Sequence, residues 1–338
     1  MKTAFFKKLI AVAALVLAPV APAHANDLAF ESAFDSYFGT DVRTPRDYSP
    51  AYSSNLESHI AALAEGSEGR IGVAAIDLAT GEEISILGDQ RFPMASTSKI
   101  AIAATYLEMV DQGRASLTSE YPLMVPIRSQ KFSSVAAPVR RGEHMPAYEL
   151  IDLMITRSSN PATDAMIAAV GGVERVNDWA RRAGLRDFNL TRDIATLVRD
   201  DGEYDPAVHI DIRDSATPAD MVALLSGLYQ GRWLSASSRE VIIDSMERCR
   251  TGTRRIPALM PENVTVAHKT GSLNNTSSDI GILTAPDGRS IAVAIYVTGQ
   301  GTRRNREARI ATIARAIYDG YTQPRRSYAS AQYGASSR

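Results

Sequence analysis

Residues 264–298 read VTVAHKTGSLNNTSSDIGILTAPDGRSIAVAIYVT. Val264 to Leu273, Ser278 to Thr284 and Ser290 to Thr298 are runs rich in Val, Ile and Thr, and the last two are separated by the turn-forming Pro286-Asp287-Gly288. Branched side chains between turn residues predict three consecutive strands. A helix from about Arg304 to Tyr318 follows them. Near the N-terminal end of the globular region, Gly69 to Leu78 and Glu83 to Leu87 predict a hairpin around Ala79-Thr80-Gly81, preceded by a short helix through Leu56, Ile60 and Leu63. Between the two strand groups the apolar period changes to that of helices. Ile100, Ala103, Ala104, Leu107 and Val110 predict a helix from Ser96 to about Gly113; two more fall within 147–182 around Gly171-Gly172, and another over Asp220 to Tyr229. This order predicts a mixed α/β (α+β sandwich) fold. A mostly antiparallel five-stranded sheet is built from both chain ends, and a helical insertion lies between them.

The chain has 338 residues, with 37 Lys plus Arg against 38 Asp plus Glu, a balance that argues against a basic nucleic-acid-binding protein. Lys2, Lys7 and Lys8 precede an apolar run from Leu9 to Val20, and Ala23-His24-Ala25 has the small-x-small form of a cleavage site, so residues 1–25 are expected to be a signal peptide. That run is shorter than the roughly 20 residues a membrane span needs, and the expected destination is the periplasm or cell exterior. Cys249 is the single cysteine, which excludes an intrachain disulfide and cysteine-rich zinc sites. Residues 26–53 are expected to form an extension, with Phe30, Phe34, Tyr37 and Phe38 at helical spacing before a Pro-containing linker. The globular body is expected at 54–320 and a disordered tail at 321–338.

Ser96 and Lys99 stand three apart at a predicted helix start, on one face of one turn. A serine hydroxyl needs a base near neutral pH. A lysine whose ammonium is destabilised by burial and neighbouring cations supplies one. Taken alone, the pair reads equally as a helix cap followed by a solvated lysine. Two further segments change the balance: Ser158-Ser159-Asn160 between helical stretches, and His268-Lys269-Thr270-Gly271-Ser272 on the first of the late strands. Ser-x-x-Lys, Ser-x-Asn and Lys-Thr-Gly in this order resemble the penicillin-binding serine hydrolase superfamily, and class A β-lactamases most closely. The flanking Arg91-Phe-Pro-Met-Ala, Leu153-Met-Ile-Thr-Arg and Ile295-Tyr-Val-Thr-Gly segments extend the likeness over about residues 54–320.

The resemblance implies acyl transfer without metal or cofactor. Ser96 would be the acylated nucleophile, Lys99 its proton acceptor and Ser158 a relay to the leaving nitrogen. Asn160 would hold the substrate amide, Lys269 and Thr270 its carboxylate, and the N–H groups of Ser96 and Ser272 the oxyanion. It also implies a small-molecule partner, either a β-lactam or a D-Ala-D-Ala-like peptide, and no membrane span. A monomer is expected. Three activities share this nucleophile: β-lactam hydrolysis, peptidase or other amide and ester hydrolysis, and a sensor that stays acylated.

Two departures stand out. The class A loop Arg-x-Glu-x-x-Leu-Asn, which carries the base for hydrolysing the acyl-enzyme, is missing as a string. Arg213-Asp214-Ser-Ala-Thr-Pro218 resembles the end of that loop, and reading back without gaps puts Arg199 on its arginine, Asp201 on the glutamate and Asp205 on the asparagine. Asp201 is therefore expected to be the deacylation base, with Glu203 its competitor and Arg199 the partner of Asp214. A solvated acidic loop is the plain alternative for Asp200, Asp201, Glu203 and Asp205. The second departure is Ser159, where the family has aspartate. His268, next to Lys269, is expected to face the opposite side of its strand.

Overall fold

A computed structural model describes Tyr52 and residues 54–66 and 68–322. The expected signal peptide, the aromatic stretch of the extension and all but the first two residues of the expected tail lie outside them. Tyr321 and Thr322 are an exception to the tail boundary. They complete the last helix, with Tyr321 buried against the sheet layer.

Five strands form one antiparallel sheet: β1 (Ile71–Asp77), β2 (Glu83–Ile86), β7 (Thr265–Leu273), β8 (Thr276–Thr284) and β9 (Ser290–Thr298), in the order β2-β1-β9-β8-β7. The first strand joins the last in the centre, with Ala74 opposite Ala294. Along β9 the period of two divides the core. Ile291, Val293, Ile295 and Val297 pack with helices α1 (Asn55–Leu63) and α9 (Arg303–Thr322), whereas Ala292, Ala294 and Tyr296 face the other helices. Branched residues fill one face, while two alanines and a tyrosine face the other, so helices approach the two faces differently.

The second face carries α7 (Pro218–Gln230) and leads into the helical insertion: α2 (Lys99–Asp111), α3 (Ala147–Thr156), α4 (Asn160–Val170), α5 (Val173–Arg182), the short α6 (Ile194–Arg199) and α8 (Ala236–Glu247). Residues 147–182 thus hold three helices, not two, since the Arg157-Ser158-Ser159 break separates α3 from α4. Two short pairings complete the described strands: β3 (Phe92–Pro93) with β6 (Ser215–Ala216), and the hairpin of β4 (Glu120–Pro126) and β5 (Val139–Pro146). The helix expected from Ser96 begins as a 3-10 turn over Ala95–Ser98 that runs into α2 at Lys99.

Candidate functional site

The chain enters the site through Ala95, a non-glycine residue held at φ +49°, a conformation that costs about 1–3 kcal/mol and has to be imposed by its surroundings. The clamp is visible. Thr97 donates to Met94 O (2.7 Å) and bonds the Tyr296 hydroxyl of β9 (3.0 Å), and Ser98 donates to Ala95 O (2.8 Å). Gly271 of β7 lies so close that a Cβ there would come 2.8 Å from Met94 O. Sheet and helix start are thereby locked together. Thr97, Ser98 and Lys99 are buried, while Ser96 keeps partial exposure.

Lys99 is fully buried, and its Nζ donates to Ser158 O (2.9 Å), Ser158 Oγ (3.2 Å) and Asn160 Oδ1 (2.9 Å). Ser158 reaches it because this residue, too, adopts positive φ (+57°) in the break between α3 and α4. Ser159 then caps α4, its Oγ accepting from Ala162 N, and Asn160 starts the helix. From the other side comes Lys269, also fully buried, whose Nζ donates to Ser158 Oγ (3.1 Å) and Thr270 O (3.0 Å). One hydroxyl therefore sits between two ammonium groups. Burial and the Lys269 charge hold Lys99 well below the ordinary lysine range, against the opposing field of Asp164. Burial brings Lys269 down to about 8. A lysine that sheds its proton this readily can accept one from a neighbouring hydroxyl.

The rest of the β7 segment is supported from behind. Thr270 Oγ1 bonds Thr251 Oγ1 (2.6 Å), which in turn bonds Cys249 Sγ (3.4 Å). Ser272 Oγ accepts from Arg255 Nη2 (2.6 Å), and Arg255 Nη1 donates to Gly271 O (2.8 Å) and Ser278 O (2.7 Å). Arg255 was not singled out in the sequence. It lies in a polar run, Thr251-Gly-Thr-Arg-Arg255, that reads as a loop, yet its side chain is only 1% exposed and supplies positive charge behind Ser272. His268 faces away from Lys269, paired with Asp279 of β8 at 3.0 Å. Although burial works against the imidazolium, the Asp279 charge outweighs it and raises His268 to about 10. β7 is the edge strand of the sheet, and Ser272 near its end is exposed.

The long loop before β6 corrects the expected register. Asp214, buried, pairs with Arg192 (2.7 Å) and also accepts from the N–H groups of Thr191 and Arg192. Arg199 instead grips the adjacent Asp200 (2.7 and 2.8 Å) and donates to Ser134 O. The expectation that Arg199 pairs with Asp214 fails because the extra residues follow Arg192 rather than precede Arg199. With the loop counted from Arg192, its glutamate position falls on Ile194, its leucine on Leu197 and its asparagine on Val198.

Asp201 is held elsewhere: its carboxylate accepts from Asn274 N (2.8 Å) in the β7–β8 turn, and its carbonyl accepts from Lys131. Asp205 accepts from the Asn275 side chain (2.8 Å), and Glu203 pairs with Arg213 (2.7 Å). Tyr204 is stacked on His209 (4.3 Å between centroids), with the Arg213 guanidinium over its ring (5.3 Å). The extra residues thus pack on themselves and fasten to the hairpin tip. Lys99, Ser158, Asn160 and Lys269 come together in the structure; Asp201, Glu203 and Asp205 bond to other partners.

Residues 55–321 match the sequence profile of a β-lactamase enzyme family. Among curated proteins, β-lactamase CTX-M-8 of Citrobacter amalonaticus is 30% identical over 277 residues, covering 80% of this chain and 91% of its own. Among solved structures, a β-lactamase from Chitinophaga pinensis superposes with a TM-score of 0.68 at 25% identity, over 79% of this chain and 100% of its own. A mutant of the last common ancestor of Gram-negative bacteria class A β-lactamase superposes at 0.67 with 34% identity, over 79% and 98%.

Proposed function

The chain belongs to the β-lactamase enzyme family, and from that premise we propose that it hydrolyses the β-lactam amide through an acyl-enzyme on Ser96. The observation that carries this reading is the Ser158 hydroxyl held between the Nζ atoms of Lys99 and Lys269, with Lys99 three residues after Ser96. Lys99, whose ammonium is destabilised by burial and the Lys269 charge, takes the Ser96 proton as Oγ attacks the ring carbonyl. The tetrahedral oxyanion is stabilised by the N–H groups of Ser96 and Ser272. Ser158 passes a proton to the departing ring nitrogen and takes one from Lys99, so the C–N bond breaks as the ester forms and Lys99 is returned neutral. Asn160 orients the substrate amide, and Lys269 and Thr270 hold the carboxylate.

Water then cleaves the ester, and this step needs a proton acceptor. Asp201 and Asp164 are the acids in contention. A slow second step would make the chain a penicillin-binding protein, a reading favoured by the apolar Ile194 at the loop position corrected above. We place the protein outside the cytoplasm after cleavage near Ala25, as a monomer acting on small molecules rather than on nucleic acid. No helix among the described residues is long and apolar enough to cross a membrane.

Intact mass of the mature chain, followed after adding a penicillin and a cephalosporin while drug consumption is monitored, tests the reading. A transient adduct with many drug equivalents consumed is expected, and Ser96→Ala abolishes both. A persistent adduct at one equivalent establishes penicillin binding without turnover. No adduct with either drug overturns the acyl-enzyme.

A further inference from the structure

Cleaving a serine ester near neutral pH requires a group that removes a proton from water as its oxygen attacks. Lys99 Nζ lies among Ser158 O, Ser158 Oγ and Asn160 Oδ1. The acid whose field reaches Lys99 is Asp164. It lies on α4 four residues after Asn160, so the two side chains share a helix face, and Asn160 already touches Lys99. Asp164 is only 6% exposed, and its two carboxylate oxygens accept from Ile194 N (2.6 Å) and Ala195 N (2.9 Å). Each oxygen retains a second lone pair. Its carboxylate is therefore held against the backbone of Ile194, the residue that occupies the loop's acid position with an apolar side chain. Asp164, Asn160, Ile194, Val198 and Arg199 line one groove of about 330 Å³.

Resting on the acyl-enzyme reading above, we propose that Asp164 accepts the proton of the water that hydrolyses the Ser96 ester, so that the acid comes from helix α4 rather than from the loop. Water oxygen bonds to the acyl carbonyl carbon as one of its protons passes to an Asp164 oxygen. The proton on Asp164 passes to Lys99, and collapse of the tetrahedral intermediate breaks the bond between that carbon and Ser96 Oγ, which takes that proton from Lys99. Net, one water is consumed and the free carboxylic acid is released.

The groups facing Asp164 are Lys99 of α2, Asp193 at the start of α6, and Arg128 and Arg199 around the groove. Burial is the dominant influence and brings the carboxyl up to about 7, in the range where a base is most effective near neutral pH.

The test separates the two chemical steps in the full-length mature chain, with adduct formation and adduct loss each timed by mass after a pulse of penicillin. Asp164→Asn, which keeps an acceptor oxygen on the loop backbone, is expected to acylate within about threefold of the parent and to lose the adduct about 10²- to 10⁴-fold more slowly, the span general-base catalysis supplies. Asp201→Asn is expected to deacylate normally. In the parent chain, deacylation is expected to rise with pH through about 7, a step absent from Asp164→Asn.

Equal slowing of acylation and deacylation in Asp164→Asn would mean that the carboxylate only anchors the loop, and would overturn the proposal. So would unimpeded turnover in that variant, or a stalled adduct in Asp201→Asn. If Asp164→Asn does not fold, a parent profile that stays flat between pH 5 and 8 does the same. Failure of the parent to form any adduct overturns the acyl-enzyme itself, an outcome distinct from all of these.

Discussion

Lys269 is a cation whose charge depends on pH not far above neutrality. Its ammonium is brought from the ordinary lysine range to about 8 because the side chain is fully buried. The lowered value fixes the sign: the cation that would hold a substrate carboxylate is present below about pH 8 and lost above it. kcat/KM for a penicillin is therefore expected to fall as pH rises through about 8, since that ratio reports on the free enzyme. Lys269→Arg, always protonated, is expected to show lower activity with that alkaline limb removed. A parent profile unchanged to pH 9.5 would exclude Lys269 as the titrating anchor. At this scale the site was largely legible. Lys99, Ser158, Asn160 and Lys269 were singled out by three separate motifs, and the structure brings these four side chains together. Arg255 was not, because an arginine in a polar run gives no sign that the fold will bury it.

Helix α4 shows how a departure at one position is accommodated by an element. Ser159 stands where the family has aspartate, and it caps the helix through Ala162 N. Both residue types are good N-caps, so the exchange preserves the start of the helix that presents Asn160 and Asp164. Ser159→Ala is expected to lower unfolding free energy by about 1 kcal/mol, and Ser159→Asp to leave it within about 0.5 kcal/mol, as read by urea titration. A neutral Ser159→Ala would mean that the cap contributes nothing. The loop before β6 was the element least legible in the sequence. Arginines occur at both ends of α6, each followed by an aspartate, so Arg192 and Arg199 were equivalent on paper. Only the pairing of Arg192 with buried Asp214 distinguishes them. The β4–β5 hairpin was missed for another reason: none of its strand residues is fully buried, so the alternation that marks a half-buried strand is weak.

Over the molecule as a whole, a single sheet carries two apolar layers, and the site hangs on only one of them. Ile295 belongs to the layer with α1 and α9, away from Lys99 and Ser158. Ile295→Ala is expected to cost about 2–5 kcal/mol of stability, by lost burial and the cavity left behind. The rate of adduct formation per folded molecule should stay within about twofold. Loss of that rate without loss of stability would mean that the layers are coupled through the sheet. The two-layer arrangement was readable early, because strands cluster near both chain ends and helices fill the middle.

The pairing of β1 with β9 sets an order of events in time. β1 is made near the start of the chain, but its central neighbour is complete only at Thr298. Until then the β1–β2 hairpin and the β7–β8 pair cannot share a sheet, and the Tyr296 hydroxyl that clamps Thr97 beside Ser96 is missing. Contacts this distant along the chain make folding slow and leave it until synthesis is nearly finished. A nascent chain that ends before Thr298 would then lack both its central strand and the clamp on Thr97, and its chemistry would wait for the last strand.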